Sequence, residues 1–206
     1  MRIGILGTGN VARTIATELV DTGHDVLLGS REPDGRTGPG LTFVTHAKAV
    51  AHGEVIVNAT PGDVSLPLLR RIGADALADK VLLDIAIGFN EDWTLTHPGT
   101  SLGELIQEEF PYTHVVKTLC TMDSTAMVNP TGLEGPSTVF LSGDDWAAKQ
   151  TVGQLLGDLG WPESYQLDLG GIRTARGQEH YALLFIGIAL TTGSFGFNIK
   201  VVPQRA

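Results

Sequence analysis

A glycine turn near the start of the chain carries the clearest chemistry. Gly7-Thr8-Gly9-Asn10-Val11-Ala12 follows the apolar run 1–6 without a spacer, and Val11, Ile15 and Leu19 then share one helical stripe. Gly7 permits a tight turn, and a bare Gly9 lets a diphosphate approach the first N–H groups of the helix, from Asn10 and Val11 onward. Those N–H groups lack partners within the helix, and with the helix dipole they favour an anion. Ala12 takes the third small position, where helix and strand must pack closely. Residues 25–28 form the next strand, which makes the turn part of a βαβ unit of the kind that holds a dinucleotide.

Ser30 and Arg31, at the end of that second strand, choose between the two nicotinamide cofactors. An NAD site places Asp or Glu there to accept from the ribose 2′-hydroxyl, and that carboxylate repels a 2′-phosphate. A hydroxyl and a fixed cation instead suit a phosphate dianion through charge-assisted hydrogen bonds. Glu32 comes one step too late for the acidic role, and Arg36 in the following loop is placed to join Arg31. The expected cofactor is NADP(H).

In an open parallel sheet, ligands bind beyond the carboxyl ends of the strands. Three further strand ends therefore face the glycine turn: Asn-Ala-Thr-Pro at 58–61, Asp-Ile-Ala-Ile-Gly at 84–88 and Lys-Thr-Leu-Cys-Thr at 117–121. Ala59, Thr60, Pro61 and Ala86 are candidates to support the nicotinamide ribose and ring. Lys117 and Cys120 are the catalytic candidates beside a hydride acceptor. Each also reads as packing, a lysine aimed at solvent or a carboxylate and a small buried thiol. No acid–base pair declares itself. The six histidines (His24, His46, His52, His97, His114 and His180) lack metal-ligand spacing and read as surface or capping residues, so no metal is expected. Hydride transfer between stacked rings needs alignment and exclusion of water more than a proton donor. That reaction suits this chain better than carbonyl reduction.

The elements that must position these residues alternate. Strands are expected at 41–44, 54–59, 80–85 and 114–119, with helices at 45–52, at 63–71 (disturbed by Pro67) and from Ser101 to Pro111. Ser101 and Glu104 have the capping-box spacing. Residues 32–40 read as a mobile loop. Further strands at 137–141 and 165–169, a helix capped by Asp144 and running to about residue 159, and a last helix at 174–190 complete the pattern, with residues 195–200 after it. This alternation predicts an α/β chain: a Rossmann-like doubly wound, mainly parallel sheet of seven or eight strands. One domain is expected, with 1–121 as the cofactor-binding core and 122–206 as sheet extension, last helix and tail.

Composition narrows the partners. The 206 residues carry a net charge of −9 with no basic run, which argues against nucleic acid. One cysteine excludes an internal disulfide and fits a reducing, cytoplasmic setting. The chain opens on a strand rather than a signal peptide. Its most apolar stretch, 181–197, is too short and too interrupted by glycine and threonine for a membrane span.

Several stretches together resemble one family: residues 1–10, Gly23-His-Asp-Val26 with Gly29-Ser-Arg31, Val115-Val-Lys-Thr118, Ser142-Gly-Asp-Asp145, Thr174-Ala-Arg176 and Phe197-Asn-Ile-Lys-Val201. It is the family of NADPH-dependent reductases of the deazaflavin coenzyme F-420, which is similar in turn to the oxidoreductase domain of the STEAP metalloreductases. The likeness covers nearly the whole chain. It implies that Thr8, Ser30 and Arg31 bind the 2′-phosphate region, that the last helix and tail pack in a homodimer and wall the deazaflavin pocket, and that coenzyme F-420 is the co-substrate. Cys120 and the turn at 85–88 depart from the family's pattern, both on the acceptor side.

The leading expectation is thus an oxidoreductase passing hydride between NADP(H) and a planar small-molecule acceptor. The alternatives are an imine or carbonyl reductase with Lys117 as proton donor, and a non-catalytic NADP(H) sensor. Arg31→Glu should weaken NADPH binding more than tenfold in calorimetry, because a charge-assisted contact of about 1.5–3 kcal/mol is lost and repulsion is added. Unchanged affinity would remove Arg31 from the pocket.

Overall fold

Short apolar runs make the strands and amphipathic stretches make the helices between them. The computed structural model describes residues 1–204. β1 (Arg2–Leu6), α1 (Asn10–Asp21) and β2 (Asp25–Ser30) form the opening unit. After a loop without regular structure come β3 (Thr42–Thr45), α2 (His46–His52), β4 (Val55–Asn58) and α3 (Gly62–Ile72). A short α4 (Ala74–Leu77) precedes β5 (Val81–Asp84), α5 (Leu102–Glu109) and β6 (His114–Thr118). Then follow α6 (Ser124–Val128), β7 (Val139–Ser142), α7 (Trp146–Asp158), β8 (Gln166–Asp168) and α8 (Ala175–Thr192).

All eight strands form one sheet in the order β3-β2-β1-β4-β5-β6-β7-β8. Every adjacent pair is parallel except β6 and β7, which meet antiparallel with Lys117 opposite Ser142. Strand order therefore reverses between β1 and β4, and the carboxyl ends of those strands open a crevice at the topological switch point. This is the doubly wound α/β architecture expected from the alternation of elements.

Apolar side chains cover both faces of the sheet. Ile3, Ile5 and Val57 pack with Ile15 and Leu19 of α1 and Leu155 of α7 on one side, where Trp161 is fully buried and donates its indole N–H to the Met127 carbonyl at 2.9 Å. Leu6, Ile56 and Leu82 pack with Leu69 of α3 and Ile106 of α5 on the other. The expected capping box holds: Ser101 accepts from Glu104 N–H while its hydroxyl meets the Glu104 carboxylate, and Thr45 caps α2 by accepting from Lys48 N–H. Asp145, rather than Asp144, caps α7 by accepting from Ala148 N–H at 2.7 Å. Asp144 instead accepts from Ile172 N–H, tying β7's end to the start of the last helical segment. Pro67 lies inside α3 without ending it. The short helices α4 and α6 have too few residues to show a helical period in sequence.

α2 lies so close to β1 that only glycine fits between them. A Cβ on Gly4 would overlap the carbonyl oxygen of Ala49, backbone that cannot swing aside. Gly4→Ala should cost about 1–3 kcal/mol through overpacking. Urea unfolding would read this as a lower midpoint at unchanged slope.

Candidate functional site

The chain leaves β1 through Gly7, whose φ of +120° suits glycine alone, and a Cβ there would come within 2.6 Å of the Ala59 carbonyl oxygen. This presses the turn onto the end of β4. A Cβ on Gly9, the N-cap of α1, would meet nothing within 4 Å, so the first turn of α1 faces open space. No side chain caps that helix, whereas α2, α5, α6 and α7 are capped by Thr45, Ser101, Asp123 and Asp145. Uncapped N–H groups beside open space can hold an anion.

The space belongs to a cavity of about 620 Å³. Gly7, Thr8, Gly9, Asn10, Val11, Ser30, Arg31, Arg36, Ala59, Thr60, Pro61, Ala86 and Cys120 all line it. Its two ends differ in character. By the order of the sheet, Arg31, Arg36 and His46 lie past β2 and β3 with Arg71 near His46, whereas Ile85, Ile87, Met122 and Met127 lie past β5 and β6. Among the described residues no Asp or Glu lines it, and Arg31, Arg36 and Arg71 make no ion pair. Ser30 is spoken for locally, since its hydroxyl donates to the Glu32 carbonyl and accepts from the Glu32 N–H. Arg13 holds the rim by donating to the carbonyls of Thr8 and Thr37, both at 3.0 Å.

His46 and Arg71 were not legible as site residues. His46 opens α2 directly after β3, and Arg71 lies in the last turn of α3, so only the fold brings them to Arg31. His46 departs from the reading of all six histidines as surface or capping groups; His24 and His52 are largely covered as well, and they pair with Asp158 and Asp25 away from the cavity.

Lys117 does not reach this cavity. It lies wholly buried beneath it, with Nζ 2.9 Å from Asp84 Oδ2 and 2.8 Å from Glu179 Oε1, and it donates to the Ala86 carbonyl. Burial opposes its charge, but Asp84 and Glu179 outweigh that and hold the ammonium above the usual lysine range. Burial pushes the Asp84 carboxyl up; Lys117 opposes the shift and Glu179 adds to it. Glu179 also accepts from Leu102 and Gly103 N–H at the start of α5. Asp84 accepts from Ala86 N–H at 3.2 Å and from Asn58, whose side-chain oxygen accepts from the Thr60 hydroxyl at 2.7 Å. Both polar groups of Ala86, and through Asn58 the hydroxyl of Thr60, are thus fixed from below.

Past β6, Leu119 takes a left-handed φ of 60° and turns Cys120 to the cavity wall. Burial pushes the Cys120 thiol up to about 12, so it stays protonated, 3.8 Å from the Gln178 side-chain oxygen. Among the described residues no group of three or more His, Cys, Asp or Glu is placed to hold a metal ion.

A glycine turn at a switch point, leading to a cationic recess, defines a dinucleotide-dependent oxidoreductase domain. Residues 2–88 match the family described as NADP oxidoreductase, coenzyme F-420-dependent. The crystal structure of a candidate F-420-dependent NADP-reductase from an Arthrobacter species is 40% identical, with a TM-score of 0.91 over 98% of this chain and 100% of that one. The rat metalloreductase STEAP3 is 34% identical over 182 residues, which are 86% of this chain but 36% of that protein, so the chain spans about a third of this relative. An imine reductase from Myxococcus stipitatus in complex with NADP+ shares the fold, with a TM-score of 0.68 at 16% identity over 94% of this chain and 63% of that one. The chain belongs to the family of coenzyme F-420-dependent NADP oxidoreductases. It is an NADP-dependent oxidoreductase, which leaves the sensor expectation without support.

Lys117→Met strands two carboxylates in the interior and should cost about 3–5 kcal/mol at neutral pH. Burial and the neighbouring Glu179 charge, no longer opposed by the ammonium, then push the Asp84 carboxyl further up in the folded state. A raised carboxyl pKa stabilises below the unfolded value, and that contribution is lost as pH rises through the folded one. Urea midpoints should therefore show part of the deficit recovered near pH 5; a deficit that grows on acidification would contradict the burial of both charges.

Proposed function

We propose that the protein exchanges a hydride between NADP(H) and a planar acceptor, and that this acceptor is the deazaflavin coenzyme F-420. The observation that carries the reading is the character of the cavity's apolar end. Ile85, Ile87, Met122 and Met127 offer apolar contact and no titrating group, and the Cys120 thiol stays neutral. The bound nicotinamide supplies the hydride, and the surrounding residues align the rings and keep water out.

The roles of the lining residues follow. Gly7, Thr8, Gly9, Asn10 and Val11 would hold the diphosphate, with Arg31 and Arg36 beside the 2′-phosphate. The Ser30 hydroxyl, engaged with Glu32, would shape the loop or exchange that bond for the phosphate. Ala59, Thr60, Pro61 and Ala86 would seat the nicotinamide ribose and ring. Lys117 serves as a positioning residue, because its ammonium pins the Ala86 carbonyl and is closed off from any substrate. Imine or carbonyl reduction with Lys117 as proton donor therefore finds no support in its surroundings. The Arthrobacter relative, alike over its full length, supports the deazaflavin acceptor.

The reading extends to assembly and setting. Leu183, Leu184 and Leu190 of α8 and Phe195 after it are exposed, an apolar strip suited to a second copy of the chain. Among the described residues no helix is long and apolar enough to cross a membrane. A free buried Cys120 fits a reducing cytoplasm. Residues 122–206 would supply the acceptor wall and this dimer face, next to the cofactor core at 1–121.

Following NADPH absorbance with coenzyme F-420, FMN, FAD and a cyclic imine in parallel tests the acceptor. Turnover is expected with the deazaflavin and little with the imine; turnover with the imine alone would overturn the assignment.

A further inference from the structure

The cationic end of the cavity contains one side chain whose charge can change near neutral pH. His46 is half-buried there, packed over the end of β2, where a Cβ on Gly29 would come within 3.0 Å of its ring carbon Cδ2. Arg31 approaches from the end of β2, Arg36 from the loop that follows, and Arg71 from α3. Among the described residues no carboxylate lines the cavity to offset these charges, and Glu32, though next to Arg31, is exposed and outside the lining. On its own helix, Lys48 is exposed and His52 turns away to the Asp25 carbonyl.

We infer that His46 is a proton-linked specificity residue: it takes up a proton when NADPH binds and makes affinity for the phosphorylated cofactor, but not for NADH, fall as pH rises. The inference rests on the reading that places the 2′-phosphate beside Arg31.

In the free protein, burial first, then Arg71 and Arg31, holds the imidazole below its usual value, so it is neutral at pH 7.5. A phosphate dianion brought among three guanidiniums offsets most of their charge and offers the ring an anionic acceptor, which favours the imidazolium. By linkage, a group whose pKa rises on binding adds affinity that is fully present below the free value and lost as pH climbs through the bound value. The 2′-phosphate works in the opposite sense. Its second proton leaves near pH 6, so capture by arginines can only release a proton. Arginines do not titrate in this range, and the raised Cys120 thiol is already protonated. Net uptake above pH 7 therefore has one available receiver in the cavity.

Isothermal calorimetry of the intact protein at pH 7.5, in buffers of different ionisation enthalpy, reads the proton count directly. NADPH should bind with uptake of a measurable fraction of one proton, and NADH with none. The NADPH Kd should rise roughly threefold or more between pH 6.5 and 8.5. His46→Gln keeps a polar side chain of similar reach and should abolish both effects; NADH titration and thermal unfolding confirm that the variant is folded. Wild-type enthalpies that do not depend on buffer, proton release, or uptake that persists in His46→Gln would each overturn the inference while leaving the cofactor site intact. Failure of NADPH to bind, or affinity indifferent to Arg31→Glu, would overturn the underlying reading instead.

Discussion

An ammonium enclosed by protein on every side must find its counter-charges within the fold, and Lys117 finds two. Asp84 lies beside it on β5, and Glu179 reaches in from α8, so one cation joins the centre of the sheet to the last helix. Two carboxylates against one ammonium leave the cluster formally negative, which makes its further hydrogen bonds necessary. Glu179 spends its remaining capacity on the first N–H groups of α5, and Asp84 on Asn58 and Ala86. Removing any one partner would expose the others to an environment that cannot solvate them. The floor of the cofactor cavity is therefore rigid for electrostatic reasons, although the cavity surface touching it is mostly apolar.

The opening βαβ unit was legible because its determinants are local. A glycine that must turn, a glycine that must stay bare and a strand closing on serine and arginine all lie within thirty-one residues. The eight strands could also be read, since alternating apolar runs and helical stripes need no tertiary knowledge. Distant partnerships were less visible. Lys117 as a sequence position is equally compatible with a proton donor, a solvated charge or a buried tie, and Glu179, sixty-two residues later, decides among them. His46 and Arg71 escaped notice for the same reason, because each is ordinary in its own helix and acquires meaning only beside Arg31. The capping residue of α7 was misplaced by one position because Asp144 and Asp145 are chemically identical and only the backbone geometry separates them.

The site is built in two parts that obey different rules. Its anion-binding half depends on backbone geometry and fixed cations, features shared by many proteins that hold a dinucleotide. Its proposed acceptor half would depend on side-chain shape, from Ile85 through Met127, and on the left-handed exit from β6 at Leu119. Likeness to imine reductases is a likeness of fold along most of the chain, so on the proposed reading the choice of acceptor would rest on these side chains rather than on the architecture.

The reversed direction of β7 matters for this division. Because β7 runs against β6, its first residues lie at the edge of the sheet where the parallel strands end. Thr138 there donates to the Ile199 carbonyl at 2.8 Å and accepts from the Val201 N–H, while Asn198 grips Ser137 and the Thr138 carbonyl. One of these four bonds is main chain to main chain, and the other three need the Thr138 hydroxyl or the Asn198 amide. A lineage is therefore free to vary Ile199 and Val201, which take part through main chain alone, but must keep Asn198 and Thr138 together to hold the tail at that edge.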